Sequence, residues 1–275
     1  MSTHGSAQAT AAFDAMQERE ALARLSRVQG PRELQAAILA LISPADSVPS
    51  YLVWTRETTS SSDASLLRQD VMRLSEGARL PCLEALLARM RLSLKDDRRD
   101  LLRSTRRVMA AQSPLRPLDR LHWLVMRRKL GDRPPVPLPP HARNDLAELS
   151  RHMIGRVASV TAYLARMVPG PTPDVGLAWY AAVMSQLDPM GEVPPSKAPD
   201  GDGLAHALNE VETLPLMLRP VLMRGWVDAA LATSGRARLY PVASDALRLV
   251  AGLLDSPMPP DLARHFVEVD WGPTR

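Results

Sequence analysis

Histidine and cysteine are the side chains from which metal sites and nucleophilic catalysts are most often built, and this chain has few of either. Its six histidines are His4, His122, His141, His152, His206 and His265, and its one cysteine is Cys82. No two histidines stand three or four residues apart, so no helix carries a chelating His pair, and no H-E-x-x-H motif is present. A G-x-S-x-G elbow, a P-loop and a dinucleotide fingerprint are absent too. Cys82 follows Pro81 near an expected helix start, where the dipole would favour a thiolate. No histidine lies close in sequence to act as its base, so a small packed residue is expected. Asp200-Gly201-Asp202-Gly203 has the look of a calcium loop, but the twelfth position from Asp200 is Val211, where a bidentate Glu is required. Glu210 is one residue off, and the segment reads as a turn. These absences nominate no catalytic residue, metal or cofactor, and the expectation is a chain that is not an enzyme.

Charge is the feature that invites a functional reading. The formal net charge is +4, yet residues 80–133 hold 14 Lys/Arg against 6 Asp/Glu, a local excess of +8. Within this block Arg99, Arg103, Arg106 and Arg107 fall on one helical face, and Arg127, Arg128 and Lys129 form a second cluster. Asp96, Asp97 and Asp100 neutralise part of the first face, so a merely solvated surface is one reading. A contact surface for an acidic protein, for anionic lipid or for nucleic acid is the other. Nucleic acid fits least, because Trp123 is the block's only aromatic and base stacking needs aromatics interleaved with charge. Residues 116–130 also lack the polar base-reading side chains of a recognition helix.

The elements that must position these residues are helical. The chain has 41 Leu against 3 Ile, and 4% aromatic residues. Unbranched Leu favours helices, whereas strands favour β-branched and aromatic side chains. Hydrophobic residues at 45% are enough to bury a core. The spacing predicts helices over 13–25, 32–42 and, with Pro49 tolerated in a first turn, 48–54. Ser62 or Asp63 can cap the helix after the ETTSSS segment. Arg79-Leu80-Pro81 is expected to open a helix carrying Leu83, Leu86, Leu87, Met90 and Leu94 on one face. Helices over 97–111 and 118–130 follow.

Pro134–Pro140 (PPVPLPP) is the sharpest break, a stiff extended spacer that also contains PxxP. Beyond it a long helix from Leu146 to Leu164 is expected, then helices over 175–187, 204–214, 216–233 and 242–254. The expected organisation is all-α: a disordered tail over 1–12, a helical half with the basic stripe over 13–133, the linker over 134–140, a second helical half over 141–262, and a tail over 263–275. An internal repeat at an offset of 121 residues would align Leu83, Leu87, Met90, Leu101, Leu102 and Met109 with Leu204, Leu208, Val211, Leu222, Met223 and Ala230. No basic-then-apolar leader opens the chain, and Arg156 and Arg166 interrupt its longest weakly charged run, Met153 to Val168, so a soluble protein is expected.

Several short motifs resemble a known family. Arg79-Leu80-Pro81-Cys82-Leu83-Glu84, the helix pair after it and Leu118-Asp119-Arg120-Leu121 are similar to the region following the catalytic core in bacterial M48 (HtpX-like) membrane zinc peptidases. Leu204–Leu214, Arg219–Ala232 and Leu254-Asp255-Ser256-Pro257-Met258-Pro259-Pro260 resemble the closing helices of that region, which is similar to tellurite-resistance TerB-like modules. Ala23-Arg24-Leu25 and Arg32–Ala40 resemble its opening. The peptidase core with its zinc motif is missing. Ser234-Gly235 stands where D-G would be, and Pro241-Val242 where an acidic residue is expected. No catalytic residue of the family therefore carries over. The resemblance implies a bacterial, cytoplasmic, non-catalytic accessory domain that docks a partner protein near the inner membrane face, with Arg99, Arg103, Arg106, Arg107, Arg127, Arg128 and Lys129 as contacts. A nucleic-acid-associated regulator, or a fragment of a zinc metallopeptidase lacking its core, are the alternatives.

Overall fold

A computed structural model describes residues 3–112, 114–131, 145–170, 172–189, 191–269 and 271. The fold is all-α, with 68% helix and no strand among the described residues. PPVPLPP and His141 lie outside them. The chain divides into two compact units. The first comprises the described residues up to Leu115, Lys129–Gly131 and those from Phe266 onward; the second comprises Arg116–Arg128 and the described residues of Asp132–His265.

The first unit is organised on α2 (Pro31–Ile42), whose Leu34 and Ala36 to Ile42 are all buried. A helix apolar on every side must be enclosed by others, and α3 (Val48–Glu57), α4 (Ala64–Met72), α5 (Glu76–Met90) and α6 (Lys95–Ala110) surround it. Segment 48–54 is a helix, as Pro49 allowed: Ser47 caps it, its side chain accepting the Ser50 N–H at 3.3 Å. Asp63 occupies the N-cap position of α4 without a capping side-chain bond. α1 (Thr3–Leu25) packs on α4, and Arg24 of α1 grips the buried Asp70 at 2.6 Å. This helix occupies most of the stretch expected as a tail. Ala7, Ala9, Ala11 and Ala12, the strongest helix formers, favour that extension.

α5 also departs from expectation. It starts at Glu76 rather than Arg79, which places Pro81 inside it. Proline has no N–H, so the Gly77 carbonyl loses its helical donor. Val267 replaces that donor, giving its N–H to Gly77 O at 3.0 Å. Arg89 of α5 donates to Ser26 O and Val28 O at 2.5 and 3.0 Å and lies 4.9 Å from the Trp271 ring. Residues 266–269 and Trp271, within the stretch expected as a tail, therefore belong to the first unit.

In the second unit, α8 (Arg151–Leu164), α9 (Pro173–Leu187), α10 (Gly201–Val211), α11 (Leu218–Ser234), α12 (Pro241–Leu253) and the short α13 (Pro260–Ala263) pack together with most of α7 (Pro117–Leu130). The helix expected from Leu146 is divided. A 3₁₀ turn covers Leu146–Glu148, and Ser150, accepting the Met153 N–H at 3.2 Å, starts α8. The chain passes from the first unit to the second at Leu115/Arg116 and returns to the first for Lys129–Gly131. Most of α7 is held in the second unit: Tyr163 donates to Pro117 O at 2.8 Å, and Arg128 pairs with Glu212 at 2.7 Å.

Positions matched at the 121-residue offset are buried on both sides, except that Leu102 is half-buried. α2 packs on α5, and α8 on α10; α3 packs on α6, and α9 on α11.

A buried chain of hydrogen bonds ties three helices of the second unit. The Trp179 indole donates to Trp226 O at 3.1 Å, the Trp226 indole donates to Thr161 Oγ1 at 3.1 Å, and Thr161 donates to Val157 O at 2.7 Å. Thr161→Val keeps the shape but strips the acceptor from a fully buried indole. We expect a loss of about 1–3 kcal/mol in urea unfolding, the usual cost of a buried donor left unmade. A loss no larger than that of an exposed control such as Thr55→Val would remove this chain from the factors that fix the packing.

Candidate functional site

The arginine face is built on α6. Asp96 and Asp97 lie in its first turn, where negative charge suits the helix dipole. Leu101, Ser104, Thr105, Val108 and Met109 are buried, which turns Arg99, Arg103, Arg106 and Arg107 outward. Arg99 pairs with Asp96 at 3.6 Å and Arg103 with Asp100, both one helical turn apart and largely exposed. Such pairs are worth little in water and exchange readily.

Arg107 differs from its neighbours. Its Nε and Nη2 both donate to the Glu57 carboxylate of α3 at 2.6 Å, and Ser104 donates to the same group at 2.7 Å. Gln35 of α2 donates to Glu57 O and to Ser104. The Arg107 hydrogen bonds hold the Glu57 carboxyl below its ordinary range, although its partial burial opposes them. Arg107 thus clamps α6 to α3 as well as facing solvent.

The second cluster separates similarly. Arg127 and Lys129 are exposed, but the Arg128 side chain is only 14% exposed. Arg128 pairs with the buried Glu212 and with Asp255, and donates to Leu253 O. Asp255 follows α12 in the left-handed region at φ 47°, where Ser256 N reaches Ala251 O at 3.0 Å and closes the helix end. Arg128 is an internal fastening of the second unit. Arg116 is also held within its unit, by the fully buried Asp119 at 2.7 Å.

Among the described residues no group of three His, Cys, Asp or Glu side chains is arranged to hold a metal ion. One polar cluster does form where the histidine spacing gave no sign of it. Glu210 of α10 receives His206 from one turn earlier at 3.0 Å, and His152 and Arg156 of α8 at 2.9 and 2.5 Å. Two i, i+4 pairs, His152/Arg156 and His206/Glu210, were the available signal. The guanidinium against the carboxylate opposes a dication there. Burial pushes the Glu210 carboxyl up, but the His152 hydrogen bond and the Arg156 guanidinium outweigh it, and the net shift is downward. Cys82 is buried, and desolvation raises its thiol to about 12, so it is a packed residue and no nucleophile. Asp200 caps α10, accepting the Gly203 N–H at 2.7 Å, which accounts for the Asp-Gly-Asp-Gly turn.

Sequence reasoning also passed over the outer face of α3. Val48, Tyr51 and Leu52 are 66%, 45% and 63% exposed there. No family model, no curated protein and no solved structure matches this chain. Its likeness to the M48-associated region therefore stands on the quoted motifs alone. Among the described residues no helix is long and apolar enough to cross a membrane.

Arg128→Met removes the counter-charge of a buried carboxylate and should destabilise the protein by about 3–5 kcal/mol in urea unfolding, while Arg127→Met should stay near neutral. Equal effects would return Arg128 to the surface cluster. For Glu210, the folded carboxyl titrates below its unfolded value near 4.5. Its contribution is complete above that value and is lost as the pH falls through the folded one. Glu210→Gln should flatten the acid limb of a melting-temperature profile and cost under about 1 kcal/mol at pH 7, because the surrounding groups are largely wet.

Proposed function

We propose that this chain is a non-catalytic helical accessory module that binds a partner protein through the arginine face of α6. The observation that supports it is the outward row of Arg99, Arg103 and Arg106. The carboxylates beside Arg99 and Arg103 belong to the same helix, are exposed, and yield easily to an external acid. Arg107 contributes charge to this face but is committed to Glu57. On α7, Arg127 and Lys129 are exposed but stand two residues apart and share no face, and Arg128 is committed to Glu212. Exposed charges of one sign steer an acidic partner and set its encounter rate more than its final affinity. The motif resemblance supports a cytoplasmic location at the inner membrane face and a membrane-associated partner.

The test reverses the outward row and leaves the inter-helix clamps of Arg107 and Arg128 in place. Arg99→Glu, Arg103→Glu and Arg106→Glu together should lower recovery of the partner from a detergent-solubilised lysate of the native host by on the order of tenfold. Far-UV circular dichroism and the melting midpoint should be unchanged. Undiminished recovery would end the role given to this face. Retention of nucleic acid with a steep salt dependence would favour the regulator instead.

A further inference from the structure

The exposed residues of α3 form a built surface. Val48, Tyr51 and Leu52 stand at i, i+3 and i+4, so they share one helical face. The helix cannot turn that face inward, because its other side is committed. Ser50 and Trp54 are buried, Trp54 donates to Ala36 O at 3.0 Å, and Glu57 is held by Arg107. The apolar face is therefore a fixed feature of the first unit.

Guanidinium groups flank it. Arg68 of α4 lies 4.9 Å from the Tyr51 ring and 5.1 Å from the Trp54 ring, and those rings stack with centroids 6.1 Å apart. Its Nη1 is buried without a hydrogen-bond acceptor. The ring faces hold the half-buried Arg68 side chain in place, which fixes its positive charge beside the apolar face. Arg56, on α3 itself, is exposed.

We propose that the α3 face, flanked by Arg56 and Arg68, is the surface on which this module seats an acidic amphipathic helix of its partner protein. The partner's apolar residues, spaced three and four apart, would lie against Val48, Tyr51 and Leu52, with flanking carboxylates on Arg56 and Arg68. A helix is the fitting occupant because α3 offers no free backbone edge for strand addition, and its own apolar spacing has the helical period. An acidic helix is favoured over a neutral one because Arg56 and Arg68, the side chains that flank Leu52 and Tyr51, are both cationic. This proposal rests on the reading of the chain as a protein-interaction module, and adds a location and a partner chemistry to it.

Photocrosslinking in the native host tests it with the full chain. Leu52 is replaced by p-benzoylphenylalanine in one strain and Arg106 in another; the adducts are digested and sequenced by mass spectrometry. From position 52 we expect adducts to a helix-forming protein segment whose apolar residues recur at three and four and whose flanks are acidic. Arg56→Gln with Arg68→Gln should reduce that adduct about fivefold or more at an unchanged melting midpoint. Adducts to phospholipid or nucleic acid, adducts to a segment without acidic flanks, or no adduct from position 52 would each overturn the α3 docking surface. A protein adduct from position 106 with none from 52 would overturn that surface alone. No protein adduct from either position would overturn the interaction reading as well.

Discussion

A core made chiefly of Leu and Ala tolerates many rotations of its helices, because similar side chains can interchange contacts at small cost. Direction has to come from polar groups that can be satisfied in only one arrangement. In the second unit, Trp226 supplies this constraint. It gives its indole N–H to Thr161 of α8 and its carbonyl to Trp179 of α9, so three helices share a single registration. Arg219 extends the same logic: nearly buried, it donates to Leu214 O and Leu254 O, both at 2.9 Å, and so answers backbone acceptors near two helix ends. In the first unit Trp54 fixes α3 to α2 in the same manner. With aromatics at 4% of the chain, each of these residues constrains a large share of the fold.

The arginines divide by what lies opposite them. Arg24, Arg107 and Arg128 reach carboxylates on other elements and hold helices together, whereas Arg99 and Arg103 meet only acids of their own helix. A basic block counted along the chain overstates the charge offered to a partner, since part of it is neutralised internally. The face that is left is narrower.

Most of the helices were legible because Leu and Met recur at helical spacing, as in Leu83, Leu86, Leu87 and Met90, all buried in α5. The start of α5 was not legible, because a proline inside a helix is tolerated only when something else takes the orphaned carbonyl. Here that donor is Val267, far along the chain. Arg127, Arg128 and Lys129 read alike in sequence, but successive helical residues point about 100° apart and only the middle one faces Glu212. The Glu210 cluster was half visible: each i, i+4 pair stood in the sequence, while the meeting of α8 with α10 did not. The α3 face escaped notice since an apolar stripe is ordinarily read as core, and only packing reveals which stripe is left outside.

The anchoring of Val267 on Gly77, with Trp271 over Arg89, has a consequence for the order in which the protein is made. Domains generally fold in sequence as the ribosome delivers them. Here the first unit contains residues synthesised after those of the second. The helices from α1 to α6 emerge before the second unit, yet the Gly77 carbonyl waits for a donor translated after it. The second unit can complete its contacts first, and the first unit closes after it.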